Sequence, residues 1–262
     1  MISVLIATYF RDDPEHLRAA LASVIGQDMP VDEIVLVLDG DVPSVLMDVI
    51  SGLSFDNLVV VKYCGNGKLG GALNFGLQFC SNEFVFRMDS DDICLPDRFR
   101  LQLEYLTAQS LDVCSSFIEE FHSVPGDLKR VRRCPVKLRR LYYSIFNPVN
   151  HMSVLFRKSC VVRAGGYLAL DGFEDYYLWL RVLKSGGKLG CIPQVLVYAR
   201  TNDNFLSRRS GLSYALKEFR AVFTFSVEGL IVVSSLPFWF FRVLIRLLPE
   251  QLLSLVYHFL RK

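Results

Sequence analysis

Phe84-Val85-Phe86-Arg87-Met88-Asp89-Ser90-Asp91-Asp92 is an apolar run that breaks abruptly into acid. Short apolar runs bounded by polar residues read as strands buried on both faces. Three such runs precede it, over residues 2–8, 34–38 and 58–61. Helical spacing fills 14–25, with Leu17, Ala20, Leu21 and Val24 on one face and Pro14 suited to a first turn. A glycine-rich turn leads into a helix over roughly 68–80, and Pro96 opens another that carries Phe99, Leu103 and Leu106. This succession of βα units predicts an α/β fold, a parallel sheet with helices on both faces. Such sheets bind ligands beyond the carboxyl ends of their strands. Thr8, Asp39, Asp41, Asp89, Asp91 and Asp92 sit at those ends and are expected to share one rim. Farther along, the pattern predicts a strand over Met152–Phe156, a helix over roughly 174–185 and a strand near Val195–Tyr198.

The 262 residues suffice for one large domain, and 52% hydrophobic against 21% charged residues excludes a disordered chain. A net charge of +2 gives no case for nucleic acid as a partner. Seven cysteines at irregular spacing, with no C-x-x-C pair, suit a reduced cytosolic protein and offer no zinc-ligand cluster. Met1 is followed at once by an apolar strand-like run, so no secretory signal is expected.

Three carboxylates within four residues repel one another, and in an apolar-backed site that is costly unless a cation neutralises them. Hard divalent cations do this through oxygen ligands, and Mg²⁺ commonly shares its shell with substrate phosphates. The alternative for Asp92 or Asp97 is to cap the following helix. Glu174-Asp175 opens a predicted helix, where acids also favour the dipole; the same position can present a general base on a rigid element.

The residues that carry a family likeness are Val4-Leu5-Ile6-Ala7-Thr8-Tyr9, Leu38-Asp39-Gly40, Leu69-Gly70-Gly71-Ala72-Leu73-Asn74, Arg87 through Asp92, Asn147-Pro148-Val149-Asn150-His151-Met152, and Glu174 through Arg181. In that order and spacing the chain resembles family 2 glycosyltransferases of the bacterial O-antigen and exopolysaccharide repeat-unit type, over about residues 1–210. The resemblance implies a GT-A fold, a Rossmann-related mixed sheet flanked by helices. It also implies a UDP-sugar donor, Mn²⁺ or Mg²⁺, a lipid-pyrophosphate-linked saccharide acceptor, and inversion at the transferred hexose, with galactose the leading candidate. Thr8 and Asp39 match positions that hold uridine, Asp89 the residue near ribose and metal, Asp91 the metal ligand, and Asp175, with Glu174 beside it, the general base. Lys68 stands where the family usually has glycine, and is either a phosphate contact or a solvated side chain.

Other residues carry two readings each. His151 is either near acceptor or metal, or a hydrogen-bonded histidine shaping its loop. Arg181, six residues after Asp175, is expected to support the site through a salt bridge. Arg208 and Arg209 are candidates to close over the diphosphate. Residues 129–140 hold seven Lys/Arg in twelve positions, suited to anionic lipid or a pyrophosphate-linked acceptor, or else to a solvated loop. The expected division is a catalytic domain over 1–225 and a helical tail over 226–262. That tail begins with thirteen uncharged residues at 229–241, too few to span a bilayer. Aromatics beside Arg242 and Arg246 suit a helix lying in the membrane interface on the inner face of the cell membrane; the alternative is a helical cover for the catalytic domain. Two rival functions remain at this point. Gly65-Asn66-Gly67-Lys68-Leu69-Gly70 spells G-x-G-x-x-G, which invites an NAD-type oxidoreductase, although that fingerprint belongs to a first βα turn and here falls in the third. A non-catalytic nucleotide-sugar-binding protein would keep the acidic rim without needing a base.

Overall fold

The computed structural model describes residues 1–65, 69–201 and 210–248. Lys68, Arg208 and Arg209 lie outside the described residues. The strands are β1 (Ile2–Tyr9), β2 (Glu33–Asp39), β3 (Leu58–Tyr63), β4 (Phe84–Asp89), β5 (Ile93–Cys94), β6 (Val113–Phe121), β7 (Arg130–Arg132), β8 (Leu155–Arg157) and β9 (Leu189–Arg200). They form one sheet in the order β3-β2-β1-β4-β8-β6-β9-β5, with β7 paired to β6. The first four are parallel neighbours. β8 then runs antiparallel to both β4 and β6, so the sheet is mixed.

The unbroken apolar character of β1 and β2 follows from burial on both faces. Val4, Ile6 and Leu36 pack against Leu17 and Leu21 of α1 (Pro14–Ile25), Leu46 of α2 (Ser44–Ser51) and Phe99 of α4 (Arg98–Ala108). Leu5, Val35 and Val37 point the other way, into a core with Leu73 and Leu77 of α3 (Leu69–Phe79) and Leu178 and Trp179 of α7 (Glu174–Lys184). α1 is started by Asp13, whose side chain accepts the backbone N–H groups of Glu15 at 2.8 Å and His16 at 3.2 Å. The remaining helices are α5 (Arg140–Tyr143), α6 (Lys158–Arg163), α8 (Gly211–Val227) and α9 (Leu236–Arg246).

The structure departs from the sequence reading in places. α2 is missing from the sequence reading; it spans only eight residues, with Leu46, Val49 and Ile50 buried at helical spacing. The expected strand at Met152–Phe156 is a 3-10 turn over His151–Ser153 followed by the short β8, since Ser153 bonds to β6 instead of continuing a ladder. The described part of the tail, up to residue 248, packs on the core. Trp239 of α9 is 1% exposed, donates its indole N–H to the Ser144 carbonyl at 2.7 Å, and packs with Tyr176 and Phe225. Phe240 and Phe241 on the same helix are exposed. Among the described residues no helix is long and apolar enough to cross a membrane.

Gly76 sets how closely α3 approaches the sheet. A Cβ there would stand 2.4 Å from Val37 and 2.7 Å from Leu5, both in the core. Gly76→Ala should therefore lower stability by about 1–3 kcal/mol through overpacking. Urea unfolding would show this as a lower midpoint with an unchanged slope.

Candidate active site

Strand register brings the acidic ends together. Tyr9 pairs with Asp39 across β1 and β2, and Ala7 pairs with Asp89 across β1 and β4. The carboxyl ends of these three strands finish at one level. A cleft of 1020 Å³ opens there, lined by Thr8, Asp39, Asp89, Asp91, His151 and Asp175 among others. Asp41 does not join it; its carboxylate pairs with Lys62 at 2.5 Å on the surface.

Asp89, Asp91 and Asp92 each offer an oxygen within 4.8 Å of the others. Burial raises the Asp91 pKa to about 6, with the charges of Asp89 and Asp12 adding to it. Burial also raises that of Asp92, followed by the charges of Asp89 and Asp91. Arg87, 2% exposed, forms an ion pair with Asp89 from beneath the cluster. Asp92 accepts the Arg200 backbone N–H at 2.8 Å, which ties the end of β9 to the acidic loop. It therefore does not cap α4, and Asp97, at the N-cap position, makes no side-chain cap bond either. The second Asp92 oxygen is buried without a partner. An all-oxygen set in which Asp91 and Asp92 are pushed upward fits a hard divalent cation.

Asp39 has one buried oxygen without a partner, and burial raises its pKa. Asp39 itself lines the cleft, where a carboxylate can accept from an N–H donor. The Thr8 hydroxyl is already committed, donating to Asp12 at 2.9 Å. Asp12 was not singled out by the sequence reading. It also accepts from the Ser90 hydroxyl at 2.6 Å, locking the end of β1 to the acidic loop, and burial raises its pKa. In sequence it could not be told from Asp13, the cap beside it.

Asp175 lies in the first turn of α7, and its carboxylate accepts the Asn147 side-chain N–H at 2.7 Å. Glu174 does not line the cleft. Its side chain lies against α3, 3.3 Å from where a Cβ on Gly70 would be, and burial raises its pKa. His151 reaches the cleft with its ring against Tyr167 and Trp179, both 5.7 Å away by centroid. Its Nδ1 is buried without a partner. Burial, then the charge of Arg87, hold its pKa well below the usual histidine range, so the imidazole is neutral. Arg181 makes no salt bridge among the described residues. It donates to the Ala164 and Gly166 carbonyls, the latter at 2.6 Å, and stacks over Tyr177. A guanidinium near a helix C-terminus finds orphan carbonyls there, which supply the partner the sequence reading assigned to an acid.

The basic stretch is partly internal. Arg130 and Arg132 pair with Glu120, and Arg132 and Arg133 line the cleft. Cys134 forms a disulfide with Cys191, a correction to the all-thiol expectation; Cys64, Cys80, Cys94, Cys114 and Cys160 are free. Tyr142, Phe146 and Phe238 complete one wall, and only the fold could bring these three together.

The family model for glycosyl transferase family 2 matches residues 3–161. The chain belongs to that family and is a glycosyltransferase. This removes the dinucleotide oxidoreductase and non-catalytic readings. Among its relatives, the Escherichia coli protein named UDP-Gal:alpha-D-GlcNAc-diphosphoundecaprenol beta-1,3-galactosyltransferase is 36% identical over 266 residues, covering 97% of this chain and 94% of that one. The amylovoran biosynthesis glycosyltransferase AmsE of Erwinia amylovora is 35% identical over 269 residues, covering 100% of both. The fold is also that of S. aureus TarS 1-349 in complex with UDP-GlcNAc, with a TM-score of 0.63 at 18% identity over 83% of this chain and 64% of that one. The mannosyltransferase PcManGT from Pyrobaculum calidifontis, solved with GDP-Man and Mn²⁺, has a TM-score of 0.63 at 18% identity over 84% of this chain and 64% of that one.

The raised Asp91 pKa has a stability consequence of definite sign. Between the ordinary carboxylate value of 3.8 and about 6 the folded protein holds a proton that the unfolded chain has lost, so this group costs the fold stability as pH rises through that window. Asp91→Asn removes the cost. Without metal, the variant should melt higher than the wild type, with the gap widening from pH 4 to pH 7. Added Mn²⁺ should raise the melting temperature of the wild type at pH 7.5 and leave that of the variant nearly unchanged. Differential scanning calorimetry with and without the ion checks both halves.

Proposed function

We propose that this glycosyltransferase moves a hexose from a UDP-sugar, with Mn²⁺ or Mg²⁺, onto a lipid-diphosphate-linked saccharide during assembly of a bacterial surface polysaccharide. The observation that carries the reading is one cleft holding an acid cluster suited to metal and diphosphate at the strand ends and a separate, positioned carboxylate at Asp175. Galactose is favoured by the activity for which the E. coli relative is named. The catalytic part is assigned to 1–225 and a membrane-facing tail to 226–262, at the cytoplasmic face.

Each residue then has a physical task. Asp39 accepts from the uracil imide, and the backbone at Thr8 packs against the base. Asp89 and Asp91 would hold the divalent cation, whose chemistry is to neutralise charge on the departing diphosphate. Asp175 takes the acceptor hydroxyl proton as the oxygen attacks the anomeric carbon from the face opposite the leaving group, which inverts that centre. Asn147 fixes the carboxylate by donating to one oxygen, leaving the other to face the acceptor. His151, neutral and packed on aromatic rings, shapes the floor between the two ends without contributing charge.

Asp175→Asn should retain UDP binding in the presence of Mn²⁺ while losing about 10²–10⁴ in kcat. Transfer at the wild-type rate would remove the base assignment. Screening UDP-sugars for UDP release with the wild type fixes the donor.

Membrane contact is supported by the outer face of α8 and α9, where Phe219, Phe223, Phe240 and Phe241 are each 59–63% exposed. Aromatic side chains of this kind insert at the headgroup boundary. The Phe240→Ser/Phe241→Ser double variant should bind anionic phospholipid vesicles at least fivefold more weakly in a flotation assay, with UDP affinity unchanged.

A further inference from the structure

Besides the acid cluster, the cleft has a wall with a chemistry of its own. Tyr142 of α5, Phe146 just after it and Phe238 of α9 form a continuous ring wall, with centroids 5.3 and 5.4 Å apart. Phe146 is 43% and Phe238 40% exposed, and both line the cleft. Arg133 lines the same cleft, is exposed, and makes no hydrogen bond or ion pair among the described residues. The chain on either side of it is fastened. Arg132 donates to the Asn150 side chain at 2.8 Å, and Cys134 is bonded to Cys191. Arg242 also reaches the cleft, but it is engaged with Glu218 and the Ile145 carbonyl.

We infer that this wall is the acceptor subsite, with Arg133 binding the diphosphate of a lipid-linked acceptor and the aromatic rings covering the junction of sugar and lipid. The inference rests on the glycosyltransfer reading above and adds where the acceptor lies. Charge decides the placement. A second diphosphate is repelled by the carboxylates at the strand ends and attracted by a cation with donors to spare. Because its neighbours are already fixed, Arg133 loses little main-chain freedom on binding. Apolar surface continues from Phe238 along α9 onto Phe241 and Leu244, both exposed, which gives a hydrocarbon chain a path out of the cleft.

The test uses the full chain saturated with UDP and Mn²⁺, so that the donor end is filled. Dodecyl diphosphate and the neutral dodecyl glucoside serve as probes, each titrated calorimetrically below its micelle-forming concentration. Arg133→Gln should weaken dodecyl diphosphate binding roughly tenfold, as expected for one charge-assisted contact, and change dodecyl glucoside binding less than twofold. Phe238→Ala should weaken both probes. Equal loss for both probes with Arg133→Gln, or no loss for the diphosphate, overturns the inference while leaving the donor reading intact. Failure of the wild type to bind UDP with Mn²⁺ in the first titration overturns the donor reading itself, and the subsite with it.

Discussion

Three carboxylates can be packed within 4.8 Å of one another at the end of a buried strand only because positive charge is built in beneath them. Arg87 supplies the first layer through its ion pair with Asp89. Arg98, fully buried in α4, supplies a second: it donates to the Arg87 carbonyl at 2.9 Å and touches the sulfur atoms of Cys94 and Met88. Two buried guanidiniums and three acids leave a deficit that the fold alone does not resolve, as the upward displacement of Asp91 and Asp92 records. The protein carries this frustration in its resting state, and a bound cation would relieve it.

The sheet explains why that frustration sits where it does. In the parallel sheet Tyr9 pairs with Asp39 at the ends of β1 and β2, while Asp89 at the end of β4 pairs with Ala7, two residues earlier on β1. Asp12 then ties the β1 exit to Ser90, and Asp92 ties the acidic loop to Arg200 of β9. The antiparallel insertion of β8 turns the second half of the sheet so that α7 delivers Asp175 to the same opening. The acid cluster thus comes from the first half of the chain and Asp175 from the second, with the cleft as their seam.

Much of the first half was legible because its signals are local. A buried parallel strand is a run of apolar residues, and its polar terminus marks the rim; the positions of Asp39, Asp89 and Asp91 follow from that logic. The second half was less legible because its determinants are contacts between distant segments. Nothing near Arg181 in sequence reveals that carbonyls at residues 164 and 166 will meet it. Nothing near Trp239 announces Ser144 as its partner, or pairs Cys134 with a cysteine 57 residues on. Asp12 is hidden for a different reason: it stands beside Asp13, a helix cap, and only the contact with Ser90, 78 residues away, sets it apart.

Trp239 also couples two properties that are usually treated as separable. Anchored under Ser144, it orients α9 so that one helix lends Phe238 to the cleft and turns Phe240 and Phe241 outward. Exchanging the C-terminal segment between related enzymes would therefore transplant part of the cavity lining together with the outer surface. Chimaeras joined before residue 236 and chimaeras joined after residue 246 would then differ in which parent's cavity wall they carry, even though both leave the acidic loop and Asp175 untouched.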